Sequence, residues 1–206
     1  MHGILPLMSL GLPLPHWLVI LSAFISIAGA SAYIRDTLKG TTKPNRVSYG
    51  MWALAPMIGV AAALAAHADP WTVVRTFLAG LTPLLVLIVS FLNTQSYWKL
   101  TLFDFFCGAC SLIALIVWGF ADSPRSAILL AAIGDGFATL PTVFKAWRHP
   151  QTETGITYVA GLIGVLLVLP SIPRWDIENS AFQIYLILAN IALIFSIYRK
   201  KIFKLA

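Results

Sequence analysis

Runs of about 20 apolar residues recur along nearly the whole chain, the length a bilayer's hydrocarbon core selects in a helix. Of 206 residues, 59% are hydrophobic and 11% charged, with mean hydropathy +0.84. A water-soluble domain carries about a quarter charged residues. The chain therefore reads as all-α, a multi-pass protein of a plasma or bacterial inner membrane. Seven spans are expected, at roughly 16–34, 47–67, 71–93, 99–120, 124–146, 156–172 and 181–198. Pro15, Pro70 and Pro124 stand at or just before helix starts, where a missing N–H is harmless. The connections are short, with no room for a soluble domain.

The net charge of +6 sits in clusters between apolar runs, with no aromatic-interleaved basic face, so nucleic acid is not an expected partner. The clusters set direction instead. Arg35, Lys39, Lys43 and Arg46 surround the first connection, Lys99 marks the third, and Lys145 and Arg148 the fifth; Arg199, Lys200, Lys201 and Lys204 form the tail. The alternate side has Arg125 and Arg174 beside Asp69, Asp122, Asp176 and Glu178. The N-terminus is expected outside and the C-terminus in the cytoplasm. Trp17, Trp71, Trp98, Trp118, Trp147 and Trp175 fall near span ends, where amphipathic rings suit the interface. Residues 1–15 lack Lys and Arg, so the first apolar run is read as a retained helix, not a cleaved leader.

Two regions correspond. AYIRDTLKGTTKPNRVSY (Ala32 to Tyr49) and PTVFKAWRHPQTETGITY (Pro141 to Tyr158) align without gaps at an offset of 109, Ser48-Tyr49 against Thr157-Tyr158. The same offset carries spans one to three onto spans five to seven. This divides a single membrane domain into a first three-helix repeat (16–93), a linker helix (99–120), a second repeat (124–198) and a basic cytoplasmic tail (199–206). Two three-helix units lie parallel only if an odd helix between them reverses the chain, which span four does.

The segment LPTVFKAWRHPQTETGITY resembles the motif of the SWEET and PQ-loop (MtN3-like) transporters. There, a helical proline followed by Gln or Thr leads through basic positions and a polar turn to a Ser or Thr opening the next helix. Pro141, Thr142, Lys145, Arg148 and Thr157 match, with one extra residue in the turn. In the first repeat Ala32 replaces the proline, while Lys39 and Ser48 keep the pattern. The resemblance implies movement of a small molecule between two three-helix bundles by alternating access. It does not name the substrate, since members handle sugars, amino acids and other small solutes.

Asp135 is the residue most in need of a reason. It lies 11 residues into its span from Pro124, about 16 Å deep and near the bilayer midplane. A charged Asp there costs roughly 2.5–3.5 kcal/mol, which favours a wet, protein-lined position. Thr139 and Thr142 follow on the same helical face, Gly134 and Gly136 thin the helix, and Pro141 frees a carbonyl one turn back. This reads as a substrate-facing wall with a protonatable group and a hinge; a protonated Asp tying two helices together is the alternative. Its counterpart is Ser26, in a stripe with Ser22, Gly29 and Tyr33 that suits a cavity or tight packing equally. Asn190, midway along the last span, resembles the asparagine lining the SWEET substrate site; its counterpart is Leu81. Trp52 lies well inside span two, suited to stacking on a substrate or packing in the core, and Pro56 one turn later is a second flex point.

Arg75 and Asp104 are shallower and read as an interface anchor and a structural hydrogen-bonding group. Cys107 and Cys110 have metal-like spacing but no second pair, and His2, His16, His67 and His149 are scattered, so no metal or other cofactor is expected. No set of converging nucleophiles or acids marks an enzyme. A retinal protein needs a lysine in its last span, and residues 181–198 contain none. A small-solute carrier is the leading expectation, with Asp135 either linking it to protons or binding a cationic solute. A ligand sensor without transport and a membrane-embedded enzyme are the alternatives, and homo-oligomerisation is left open.

Overall fold

The helices form where the apolar windows lie, and punctuation in the sequence explains their ends. The computed structural model describes residues 14–65, 70–121, 123–172 and 174–205. It contains seven α-helices and, among the described residues, no strand: α1 (Leu14–Leu38), α2 (Arg46–Ala65), α3 (Pro70–Leu92), α4 (Leu102–Trp118), α5 (Pro124–Arg148), α6 (Gly155–Val168) and α7 (Ile177–Leu205). Each expected window holds one helix. The readings of His2, His67, Asp69, Asp122 and the N-terminal leader fall outside the described residues, as do those of the side chains of Pro15, His16, Pro70, Trp71, Arg75, Glu178 and Lys204.

Gly40, at φ 78°, ends α1 in the left-handed conformation that glycine adopts without steric penalty. Its N–H donates to Thr37 O at 3.0 Å, and the N–H groups of Thr41 and Thr42 both reach Asp36 O. Thr101 and Asp104 form a reciprocal capping box that starts α4. Ser123 caps α5, with Pro124 in its first turn. α6 gives way to a 3₁₀ turn at Leu169–Ser171, where Pro170 follows. α7 runs beyond its window because the Arg-Lys-Lys tail carries good helix formers and no Pro or Gly.

Burial is inverted relative to a protein folded in water. Along α4 the buried residues are Asp104, Cys107, Ser111 and Ala114, while Leu102, Phe105, Phe106, Ile113 and Ile116 are exposed. Elsewhere Thr37, Asn45, Ser48, Ser90 and Thr142 are fully buried, and Phe24 and Leu188 are 67% and 61% exposed. Large apolar side chains outside and small or hydroxylated ones at helix contacts are what a hydrocarbon solvent produces. Three helices are by themselves long and apolar enough to cross a membrane: Trp17–Leu38, Pro124–Arg148 and Asn179–Lys201.

The packing has a regular plan. α3 lies against both α1 and α2, and α7 against both α5 and α6. α1 packs on α6, and α2 on α5. Replacing every helix among α1, α2 and α3 by the one four places later, and the reverse, leaves this set of pairs unchanged. α4 lies outside it, packed on α5 and α2. At the centre Tyr33, Tyr49, Val86, Tyr158 and Leu193 meet, drawn from α1, α2, α3, α6 and α7.

Candidate functional site

Asp135 is held by a neighbour that sequence reasoning missed. Tyr185 of α7 donates its hydroxyl proton to Asp135 Oδ2 at 2.6 Å, and Thr139 Oγ1 lies 2.9 Å from the same hydroxyl. Tyrosine has one O–H proton, so Thr139 must donate in turn, giving a directed chain Thr139 to Tyr185 to Asp135. Asp135 is partly exposed and Thr139 buried. The flanking glycines serve separate neighbours: Gly134 faces Ala114 of α4, and Gly136 the Tyr185 ring.

The other expected site residues are not gathered around this carboxylate. Ser26 and Ser22 face Gly164 of α6, and Gly29 lies against Thr157 and Ala160, so this stripe lines the α1–α6 seam. Thr157 closes that seam by donating to Gly29 O at 2.8 Å. Asn190 donates to Leu186 O in its own helix at 2.8 Å and presses its amide on Gly161 of α6. Trp52 stands edge-on to Tyr49, ring centroids 5.1 Å apart, beside the central cluster. Pro56 faces Gly80 of α3, and Pro141 is fully buried within α5. Asp104 caps α4 and accepts from Asn45, a structural hydrogen-bonding arrangement.

The densest polar cluster lies at the basic end of the helices, between the α1–α2 and α5–α6 connections. The Lys145 ammonium pairs with Glu153, both side chains almost wholly buried, and also donates to Lys43 O. Tyr33 and Tyr158 each donate to Glu153 Oε2, at 2.9 and 2.8 Å. Tyr158 has then spent its proton, so Tyr49 donates to Tyr158 across 3.5 Å. Around this centre Thr42 donates to Thr154 at 2.6 Å and Thr154 to Asp36 at 3.0 Å. Thr142 donates to Ser48 at 2.8 Å, and Asn45 to Asp104 at 2.9 Å. The backbone joins in, Lys43 N–H donating to Thr152 O at 3.0 Å.

Every one of these contacts except Lys145–Glu153, Tyr158–Glu153 and Asn45–Asp104 links residues 14–65 to residues 123–172. The cluster therefore fastens the first part of the chain to the second. Two contacts, Tyr49 with Tyr158 and Lys43 with Thr152, join residues that are 109 apart. Charge-assisted hydrogen bonds in so dry a setting are strong, and removing one partner of a buried ion pair costs about 3–5 kcal/mol. Sequence reasoning passed over Glu153, although one signal marks it: it is the single acid between Pro141 and Tyr158, a stretch that holds Lys145 and Arg148.

The motif residues also find places. Pro141, Thr142, Lys145 and Thr157 all lie at contacts with the first part of the chain or beside them, while Arg148 is exposed. No protein-family model, curated protein or solved structure matches this chain.

Proposed function

We propose that this chain carries a small solute across a membrane between two like-oriented three-helix halves, α1–α3 and α5–α7, with α4 reversing the chain between them. The N-terminus faces outside and the basic connections face the cytoplasm. In this reading the SWEET and PQ-loop resemblance reflects a shared mechanism, and the substrate belongs to the sugar or amino-acid size class.

One observation carries the reading. Residues 109 apart touch each other where the halves meet, Tyr49 on Tyr158 and Lys43 on Thr152. A residue meets its own counterpart only near a two-fold axis, which is how two equivalent halves face each other. The helix packing, unchanged by a shift of four helices, supports the same plan. The buried Lys145–Glu153 cluster then serves as a cytoplasmic latch, closed in this conformation. Asp135, bonded to Tyr185 deep in α5, is the group that takes and releases a proton, because a midplane carboxylate is expensive to keep without such a use.

The test is uptake by purified protein in liposomes, against a panel of sugars, amino acids and vitamins, with and without a pH gradient. Accumulation driven by the gradient in the native protein, and only equilibration in Asp135→Asn, is expected. Gradient-driven accumulation that survives Asp135→Asn removes the proton role. No saturable uptake of any solute removes the carrier reading.

A further inference from the structure

Between the start of α4 and the end of α5 lies a cavity of about 410 Å³ that neither the latch nor the Asp135 chain fills. Cavities of about 300–1,000 Å³ are the usual size for small ligands. Its walls are aromatic. Phe103 and Phe144 meet edge to face at 5.0 Å and are 41% and 47% exposed on the apolar flank of the molecule. Trp98 completes the wall, its ring 5.4 Å from His149 and 5.3 Å from Lys145 Nζ.

The polar groups in the lining divide into spent and unspent. Asp104 accepts from Asn45 on one oxygen and from the Thr101 N–H and hydroxyl on the other. Lys145 is committed to Glu153 and Lys43 O. Arg148 remains: its guanidinium is exposed at the rim and makes no hydrogen bond, ion pair or ring contact among the described residues. The His149 ring beside it stacks on Trp98. A guanidinium with no partner among the described residues, lining the same cavity as an aromatic wall, fits an amphiphile with an anionic head. The planar fork of Arg matches phosphate oxygens, and basic pockets between helices on that side suit anionic headgroups.

We propose that this cavity binds the phosphate group of an anionic membrane lipid. Arg148 grips the phosphate, and Trp98, Phe103 and Phe144 hold the glycerol and the first carbons of the chains. A water-soluble phosphate ester shares the head chemistry but has nothing to place on the aromatic wall. The inference rests on the membrane reading of the chain and not on transport.

Native mass spectrometry of detergent-purified protein tests it, with phosphatidylglycerol, phosphatidylcholine or glycerol phosphate added. Retention of one phosphatidylglycerol, at least fivefold above phosphatidylcholine, is expected. Arg148→Gln and Phe144→Ala should each lower that retention at least fivefold. Lys99→Gln, exposed and next to Trp98 in the chain but outside the lining, should leave it unchanged. The comparison uses variants with native thermal melts. Equal losses in Arg148→Gln and Lys99→Gln would overturn the pocket in favour of a diffuse basic surface. Glycerol phosphate retained as well as the lipid would overturn the lipid assignment. Alkaline carbonate extraction separates the two layers. Protein released by carbonate sinks the membrane reading, whereas protein that stays in membranes yet shows no lipid preference sinks this proposal alone.

Discussion

Glu153→Gln tests whether the buried cluster is a latch or merely a piece of core. The change keeps the shape and removes one charge, leaving the Lys145 ammonium, 3% exposed, opposite a neutral amide. The Tyr33 and Tyr158 hydroxyls then donate to an amide oxygen in place of a carboxylate oxygen. Breaking a buried pair on one side costs about 3–5 kcal/mol, and each 1.4 kcal/mol is about tenfold in an equilibrium. The closed arrangement should therefore lose about two to three and a half powers of ten against any arrangement in which Lys145 reaches water. The readout is a cysteine at Ser48, fully buried and bonded to Thr142, in a background with Cys107 and Cys110 replaced by alanine. A membrane-impermeant maleimide should label that cysteine at least tenfold faster once Glu153→Gln is added. Lys145→Met combined with Glu153→Gln removes the stranded charge and should restore slow labelling, since replacing a whole buried pair by neutral groups is often close to neutral. Equal labelling in all three backgrounds would refute the latch. A lowered melting temperature with no change in labelling would make the cluster a structural tie only.

Two further outcomes test the packing and the caps. Gly29→Ala would bring its new methyl to 2.7 Å from Ala160 Cβ across the α1–α6 seam; overpacking of this kind costs about 1–3 kcal/mol and should lower the melting temperature, whereas Gly50→Ala, with open space around it, should match or exceed the native value. Asn45→Asp keeps the acceptor for the Val47 and Ser48 N–H groups but replaces the donor to Asp104, 2.9 Å away, with a like charge. Protonating one of the two carboxylates relieves that repulsion, so the variant's loss of stability relative to the native protein should be larger at pH 8 than at pH 5 in parallel thermal melts. A pH-independent difference would mean that the lost hydrogen bond alone matters.

The positions of the helices were legible because hydropathy, prolines and caps are local signals. The likeness of the two connections is a local signal too, a basic, turn-rich segment ending in a hydroxyl-aromatic pair. What the side chains of those connections do was not. A carboxylate in a loop, such as Glu153, belongs in water by default, and no periodicity reveals that both connections fold inward onto each other. Helical spacing placed Ser22, Ser26 and Gly29 on one face but could not say that α6 covers it. Tyr185 was overlooked because a tyrosine in an apolar helix carries no mark of its partner; only the packing of α5 on α7 brings its hydroxyl to Asp135.

α5 is the element that joins the two polar centres, and its sequence explains how one can bear on the other. Asp135 and Thr139 face Tyr185 of α7, within the same half. Thr142 and Lys145 face Ser48 and Lys43, across the seam. The two sets are separated by about two turns of helix, and Pro141 falls between them, its missing N–H removing the bond that would otherwise stiffen that turn. The first half has no equivalent: Ser26 stands where Asp135 does, Ala32 where Pro141 does, and Leu81 where Asn190 does. In the proposed two-half plan the first half has helical prolines of its own, Pro56 in α2 and Pro83 in α3, but only the second joins a deep carboxylate, a proline and a buried ammonium along one helix. Protonation of Asp135 would alter its bond to Tyr185 and so the fit of α5 on α7. With α5 weakened at Pro141, that change has a direct mechanical route to Lys145 about 15 Å further along the same helix. Under the carrier reading proposed above, one responsive half suffices, because a shift of α5 breaks contacts that both sides of the seam share.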